Sequence, residues 1–127
     1  MIPYGRQDIT EEDIQEVVEV LKSDFLTQGP KVPQFEKKLA QYCSVNHSFA
    51  LNSATSALHV ACMALGLTKG DWLWTSPVTF VASANVGHYC GANVDFVDID
   101  AKTNNLCPQS LEKKLNQASS EGKLPKI

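Results

Sequence analysis

Short apolar segments alternate with helical patterns over most of the sequence. The strand-like segments are His47–Leu51, Trp72–Thr75 and Val94–Val97, and the helical patterns that follow them are Ser56–Leu65, Thr79–Tyr89 and Pro108–Ala118. Strands that alternate with helices assemble into a largely parallel sheet with right-handed crossovers. Gly122–Ile127 resembles the lead-in to one more strand. The alternation therefore predicts an α/β fold.

The N-terminal region instead predicts helices. After an extended lead-in, Thr10 can cap a helix whose acidic first turn suits the positive end of the helix dipole. The helix should end near Ser23, and one apolar stripe recurs along it at helical spacing, formed by Ile14, Val17, Val18 and Leu21.

A second helix is predicted after a turn at Thr27–Pro30. Pro33 suits the first turn of a helix, because its missing N–H is not needed there. Phe35, Leu39 and Tyr42 are predicted to lie on the buried side of this helix.

Composition limits the classes of partner. The 127 residues carry a net charge of −3 with acidic and basic residues interspersed, so no basic patch suggests a nucleic acid. The sequence shows no signal segment, and no apolar run approaches the ~20 residues that span a bilayer. The length suits one domain with a core. We therefore expect a globular protein with neither a nucleic-acid nor a membrane partner.

The cysteines are Cys43, Cys62, Cys90 and Cys107. Spacings of about twenty residues without a Cys-x-x-Cys pair argue against a zinc site. A small disulfide scaffold would carry its cysteines more densely. We expect reduced, partly buried thiols in a cytoplasmic protein, and no metal.

At Asn52–Leu58 a strand turns into a helix through small and hydroxylated residues. A helix N-terminus has unpaired N–H groups and a partial positive charge, and small side chains let an anion approach. The segment lacks both the glycine pattern of a dinucleotide turn and the lysine of a P-loop. A phosphate site and a well-capped helix without a ligand both fit this pattern.

A second strand leads into a helix at Trp74–Asn85. Phe80 is predicted to lie in the first turn of that helix, near the carboxyl end of the strand, where ligands gather in open α/β sheets. An aromatic ring there could stack on a planar cofactor, or it could belong to the core.

Taken together, these segments resemble the DegT/DnrJ/EryC1/StrS sugar aminotransferases, and the resemblance runs from Ile2 to the end of the chain. It is carried by Asn52–Leu58, Gly70–Asp71, Ser76–Asn85, Gly91–Ala92 and Val97–Asp100. Further segments are similar to the pseudaminic-acid branch of the family, namely Ile2–Gln7, Phe25–Pro30 and Gly70–Pro77. The resemblance implies a type I aminotransferase fold, with three αβα layers and a mostly parallel sheet, of which residues 1–127 would be the N-terminal part of the large domain.

The resemblance also implies roles for individual residues around pyridoxal 5′-phosphate, which becomes pyridoxamine phosphate in the half-reaction. It places Thr55 and Ser56 on the cofactor phosphate and Phe80 on the pyridine ring. Residues implied near the substrate are Thr27, Gln28, Gly29, Tyr4 and Arg6. Arg6 suits a diphosphate, although an exposed surface charge fits its position equally well.

The implied reaction is amination of C4 of a UDP-linked 4-keto-6-deoxy-N-acetyl hexosamine, with an amino-acid donor such as glutamate, in a homodimeric enzyme. In this family a lysine forms the Schiff base with the cofactor, and the resemblance places that lysine beyond Ile127. The lysines of the chain itself are predicted to be solvated charges. The chain alone is therefore expected to be inactive, with the C-terminal remainder of the domain absent.

The alternative is a non-catalytic protein, either a truncated remnant or an interaction module. A Rossmann nucleotide-binding domain is disfavoured, because the Gly-x-Gly turn is missing. In the type I fold, later strands fill a gap in the sheet, so this chain is expected to expose sheet edges and apolar faces and to fold poorly, associate or rearrange.

Overall fold

A computed structural model describes residues 2–127. These residues form two compact units, one ending at Ala50 and the other spanning Leu51–Ile127. The first unit contains α1 (Glu11–Lys22) and α2 (Lys31–Tyr42), and the second contains α3 (Ala54–Ala64), β1 (Trp72–Thr75), α4 (Ala82–Tyr89), β2 (Asn93–Phe96) and α5 (Pro108–Glu121). None of the described helices has the length and apolar character needed to cross a membrane.

In the first unit, α1 begins as the sequence predicts. The Thr10 hydroxyl accepts the N–H of Asp13, and the Asp13 carboxylate accepts the N–H of Thr10 at 2.8 Å, which is a capping box. The helix ends at Lys22 with Ser23 as its C-cap. Because both capping partners lie within one turn, sequence alone was enough to place this end.

The predicted buried side of α2 is wrong. Pro33 does lie in the first turn, but Phe35 is 57% exposed and Tyr42 is 89% exposed. Neither α1 nor α2 contains a buried residue. The apolar stripe forms, but within its own unit it has too little surface to pack against.

The sheet of the second unit is parallel, as predicted. β1 and β2 pair in register from Trp72 opposite Asn93 to Thr75 opposite Phe96. On the other edge of β1, Trp74 donates its N–H to the Ile127 carbonyl at 2.8 Å, and the N–H groups of Lys126 and Ile127 point to the Trp72 carbonyl. This pattern is typical of a parallel pair with Leu73 opposite Ile127, and it confirms Gly122–Ile127 as the lead-in to a strand.

The strand predicted at His47–Leu51 is not formed within residues 2–127. Strands exist through hydrogen bonds to a neighbouring strand, and the sheet described within residues 2–127 consists of β1 and β2. The Ala50 N–H is instead bonded to the Glu36 carboxylate at 2.8 Å. The prediction of a strand here is therefore wrong for the described residues.

The core of the second unit lies where α4 meets the two strands. It is formed by Cys62, Leu67, Leu73, Val86 and Ala92. α4 contacts both strands and also packs on α3, so this short helix connects the sheet to the rest of the unit.

α5 is fastened to the sheet by Lys114. Its ammonium lies 2.6 Å from the Asp95 carboxylate, donates to the Phe96 carbonyl, and sits 4.7 Å from the ring centroid of Trp74. Lys126 is held in a comparable way, with its ammonium 2.7 Å from the Gly66 carbonyl and 3.3 Å from Asp71. The prediction that all lysines are solvated charges is therefore wrong for Lys114, whose side chain is 26% exposed, whereas Lys126 is exposed as predicted although it has these contacts.

Lys114→Met is expected to destabilise the protein at neutral pH by about 1 kcal/mol, since charged hydrogen bonds are lost but the Asp95 carboxylate is half exposed and screened. The Lys114 ammonium donates to Asp95 and holds the pKa of that carboxyl below its ordinary value. The contribution is therefore complete above the unfolded pKa of about 4 and is lost as the pH falls through the lower folded value.

Urea unfolding at several pH values would measure this difference. Lys113→Met is the matched control, because Lys113 is the exposed neighbour of Lys114 on the same helix. Equal losses in the two variants, or a loss from Lys114→Met that does not shrink in acid, would show that the ion pair contributes nothing.

Candidate functional site

The N-terminus of α3 carries a cap formed by Ser53. The Ser53 hydroxyl oxygen accepts the N–H of Ser56 at 3.1 Å and donates its proton to the Ser56 hydroxyl at 3.0 Å. The Ser53 carbonyl accepts the N–H of Ala57. Within residues 2–127, the N–H groups of Ala54 and Thr55 have no acceptor.

These donors fit a phosphate. α3 has 11 residues and no acidic side chain in its first turn, so its N-terminal partial charge is not neutralised from within the helix. The free amides lie next to the hydroxyls of Thr55 and Ser56, and both side chains are half-buried. The helix is well capped, and it still has donors left over for an anion.

Phe80 lies in the turn between β1 and α4, which corrects the prediction that it belongs to the helix. α4 begins at Ala82, although the Phe80 carbonyl already accepts the N–H of Ser83 at 3.0 Å. Pro77 and the bond from the Val78 N–H to the Ser76 hydroxyl hold the preceding residues in a turn, so the helix starts later. The Phe80 side chain is 74% exposed, which excludes the alternative that it belongs to the core of this unit.

The residues implied on the substrate side lie in the first unit. Tyr4, Arg6, Thr27 and Gln28 are exposed, and Gly29 is half-buried. Gln28 adopts a left-handed backbone conformation, with φ of 52°, which few residues other than glycine adopt readily. The predicted turn at Thr27–Pro30 is confirmed.

Gly29 is in close contact with Phe25. A Cβ at Gly29 would lie 2.8 Å from the Phe25 Cβ, so any larger residue would displace the turn. The requirement for glycine here is therefore steric.

Ser53 lies in the candidate site, and the sequence prediction gave it no role of its own. Its position three residues before Ser56, at a strand-to-helix change, is the usual N-cap pattern. That signal was present in the sequence, but it does not reveal that the Ser53 proton goes to the Ser56 hydroxyl.

The cysteines are free thiols in the described part of the chain. Cys62 is buried, and burial raises the pKa of its thiol, so it is a poor nucleophile at neutral pH. Cys43 is exposed, which corrects the expectation that all four are partly buried.

The family model described as "DegT/DnrJ/EryC1/StrS aminotransferase family" matches residues 7–122. This chain belongs to that family. It is 46% identical over 111 residues to the spore coat polysaccharide biosynthesis protein SpsC of Bacillus subtilis, a match covering 87% of this chain and 28% of that protein. It is 43% identical over 121 residues to the UDP-4-amino-4,6-dideoxy-N-acetyl-β-L-altrosamine transaminase of Campylobacter jejuni, covering 95% and 32%.

Solved structures agree with the fold. A Streptococcus pneumoniae protein assigned as a sugar aminotransferase superposes with a TM-score of 0.84 at 38% identity, covering 88% of this chain and 28% of its own. That protein has been solved in apo, pyridoxal-phosphate and pyridoxamine-phosphate forms. The fold is therefore the N-terminal part of a pyridoxal-phosphate-dependent aminotransferase fold, and pyridoxal phosphate is a cofactor of this family. The chain spans about a third of the length of these relatives.

Proposed function

We propose that this chain supplies the phosphate-binding part of the cofactor site in a sugar aminotransferase. One observation carries the proposal, namely the unpaired N–H groups of Ala54 and Thr55 beside the Thr55 and Ser56 hydroxyls, at the start of a helix without acidic residues in its first turn. A dianionic phosphate is stabilised by such donors and by the helix dipole.

Pyridoxal phosphate, when bound, carries the amino group between the amino-acid donor and the keto-sugar. Ala54, Thr55 and Ser56 would hold its phosphate, and the exposed ring of Phe80 would stack on its pyridine face. These residues bind and orient the cofactor. They exchange no protons with the substrate.

We propose a UDP-linked 4-keto-6-deoxy-N-acetyl hexosamine as the substrate and glutamate as the donor. Support for the substrate comes from the relative at 43% identity, which is named as a transaminase of UDP-4-amino-4,6-dideoxy-N-acetyl-β-L-altrosamine. Tyr4, Arg6, Thr27, Gln28 and Gly29 would contact the sugar nucleotide, in an enzyme that is a homodimer. The Arg6 guanidinium is exposed and suits a diphosphate.

The group that moves the proton is proposed to be a lysine outside this chain. Lys114 and Lys126 are engaged in structural contacts. The chain alone is accordingly proposed to be inactive.

The phosphate site predicts a specific change in ligand preference. We define the phosphate preference as the dissociation constant of pyridoxamine divided by that of pyridoxamine 5′-phosphate, measured on the full gene product. Thr55→Ala or Ser56→Ala should each lower this ratio by about 10-fold or more, since each removes a hydrogen bond to a charged group.

Thr68→Ala is the control, because Thr68 is an exposed threonine beyond the other end of α3. It should leave the ratio unchanged. If both Thr55→Ala and Ser56→Ala also leave the ratio unchanged, the phosphate binds elsewhere and the proposal is wrong.

A further inference from the structure

Ser53 uses its hydroxyl proton and one hydroxyl lone pair within the first turn of α3. The oxygen accepts the N–H of Ser56, and the proton goes to the Ser56 hydroxyl oxygen. Because a serine hydroxyl has one proton to donate, Ser53 has none left for a ligand. Any effect of the Ser53 hydroxyl proton on an anion must therefore pass through Ser56.

The two hydrogen bonds between Ser53 and Ser56 determine which donors of Ser56 remain for a ligand. The Ser56 amide is occupied, so the hydroxyl proton is the donor that remains to this residue. One lone pair of that hydroxyl accepts from Ser53, which keeps the Ser56 proton pointing away from Ser53. The Ala54 and Thr55 amides stay unpaired within residues 2–127.

We propose that Ser53 is a positioning residue for the cofactor phosphate, which it serves by orienting the Ser56 hydroxyl proton toward the anion. The inference rests on the phosphate site proposed above and adds a residue that the family resemblance did not name. The competing explanation is that Ser53 is only an N-cap, which stabilises the helix and leaves the Ser56 hydroxyl free to rotate.

A double-mutant cycle on the full gene product separates these explanations. The variants are Ser53→Gly, Ser56→Ala and their combination, and the readout is the phosphate preference defined above. Glycine is chosen because it replaces serine at an N-cap at small cost. If Ser53 acts through Ser56, Ser53→Gly lowers the preference by about fivefold when Ser56 is present and does not lower it when residue 56 is alanine.

The outcomes are distinct. An equal fall in both backgrounds, or no fall in the presence of Ser56, overturns the positioning role and leaves Ser53 as a cap. If Ser56→Ala and Thr55→Ala are themselves without effect, the phosphate site is wrong as well. Circular dichroism of each variant checks the helix content, and Ser53→Ala, which also removes the hydroxyl, replaces Ser53→Gly if that variant does not fold.

Discussion

Expressed alone, the 127-residue chain is expected to self-associate at micromolar concentration. In the first unit Val17 is 60% exposed, Leu21 is 65% exposed and Phe35 is 57% exposed, and neither helix of this unit contains a buried residue. Burying apolar surface is worth about 25 cal/mol per Å², so an uncovered stripe of this kind favours association. Light scattering across a concentration series would show a rise in mean mass.

Two charge substitutions on α1 test the cause. Leu21→Lys places a charge on the apolar stripe, and Gln15→Lys adds the same charge at an exposed polar position of the same helix. Only Leu21→Lys should reduce association. A monomer at all concentrations, or equal effects of the two substitutions, would show that the stripe is not the cause.

Gly87→Ala is expected to cause the second large effect, a loss of folding stability. A Cβ at Gly87 would lie 2.6 Å from the Val94 Cγ2 and 3.4 Å from the Leu73 Cβ, where α4 packs on both strands. Overpacking of a core costs about 1–3 kcal/mol, and the better helix propensity of alanine returns at most about 1 kcal/mol. Gly87→Ala should therefore lower the free energy of unfolding by about 1–2 kcal/mol.

A second substitution isolates the steric cause. In a Val94→Ala background the clashing methyl is gone, so adding Gly87→Ala should cost almost nothing. Gly5→Ala serves as the control, because nothing lies within 4 Å of a Cβ at that position. Urea unfolding of the four variants gives the comparison, and equal costs of Gly87→Ala in the two backgrounds would refute the contact.

The helix start that carries the candidate anion site was predictable from sequence because its signals are local. The small and hydroxylated residues of Asn52–Leu58 fitted both an anion site and a capped helix without a ligand, and it was the family resemblance that named Thr55 and Ser56. The prediction that Phe80 lies near the carboxyl end of β1 is correct, but the prediction that it belongs to the following helix is wrong. The proline turn before α4 delays the helix by a few residues, and boundaries of this kind are the weakest part of such predictions.

The cap of α1, the turns and the order of elements follow from local sequence signals, and so sequence was sufficient for them. The capping box at Thr10 and the lead-in at Gly122–Ile127 are examples. Pairing and packing join residues far apart in the chain, and only the folded structure shows them. Among the described residues His47–Leu51 forms no strand, and Lys114 is held by β2 and Trp74. Ser53 stands between these cases. The sequence indicates that Ser53 caps α3, but only the three-dimensional structure shows that its hydroxyl donates to the Ser56 hydroxyl.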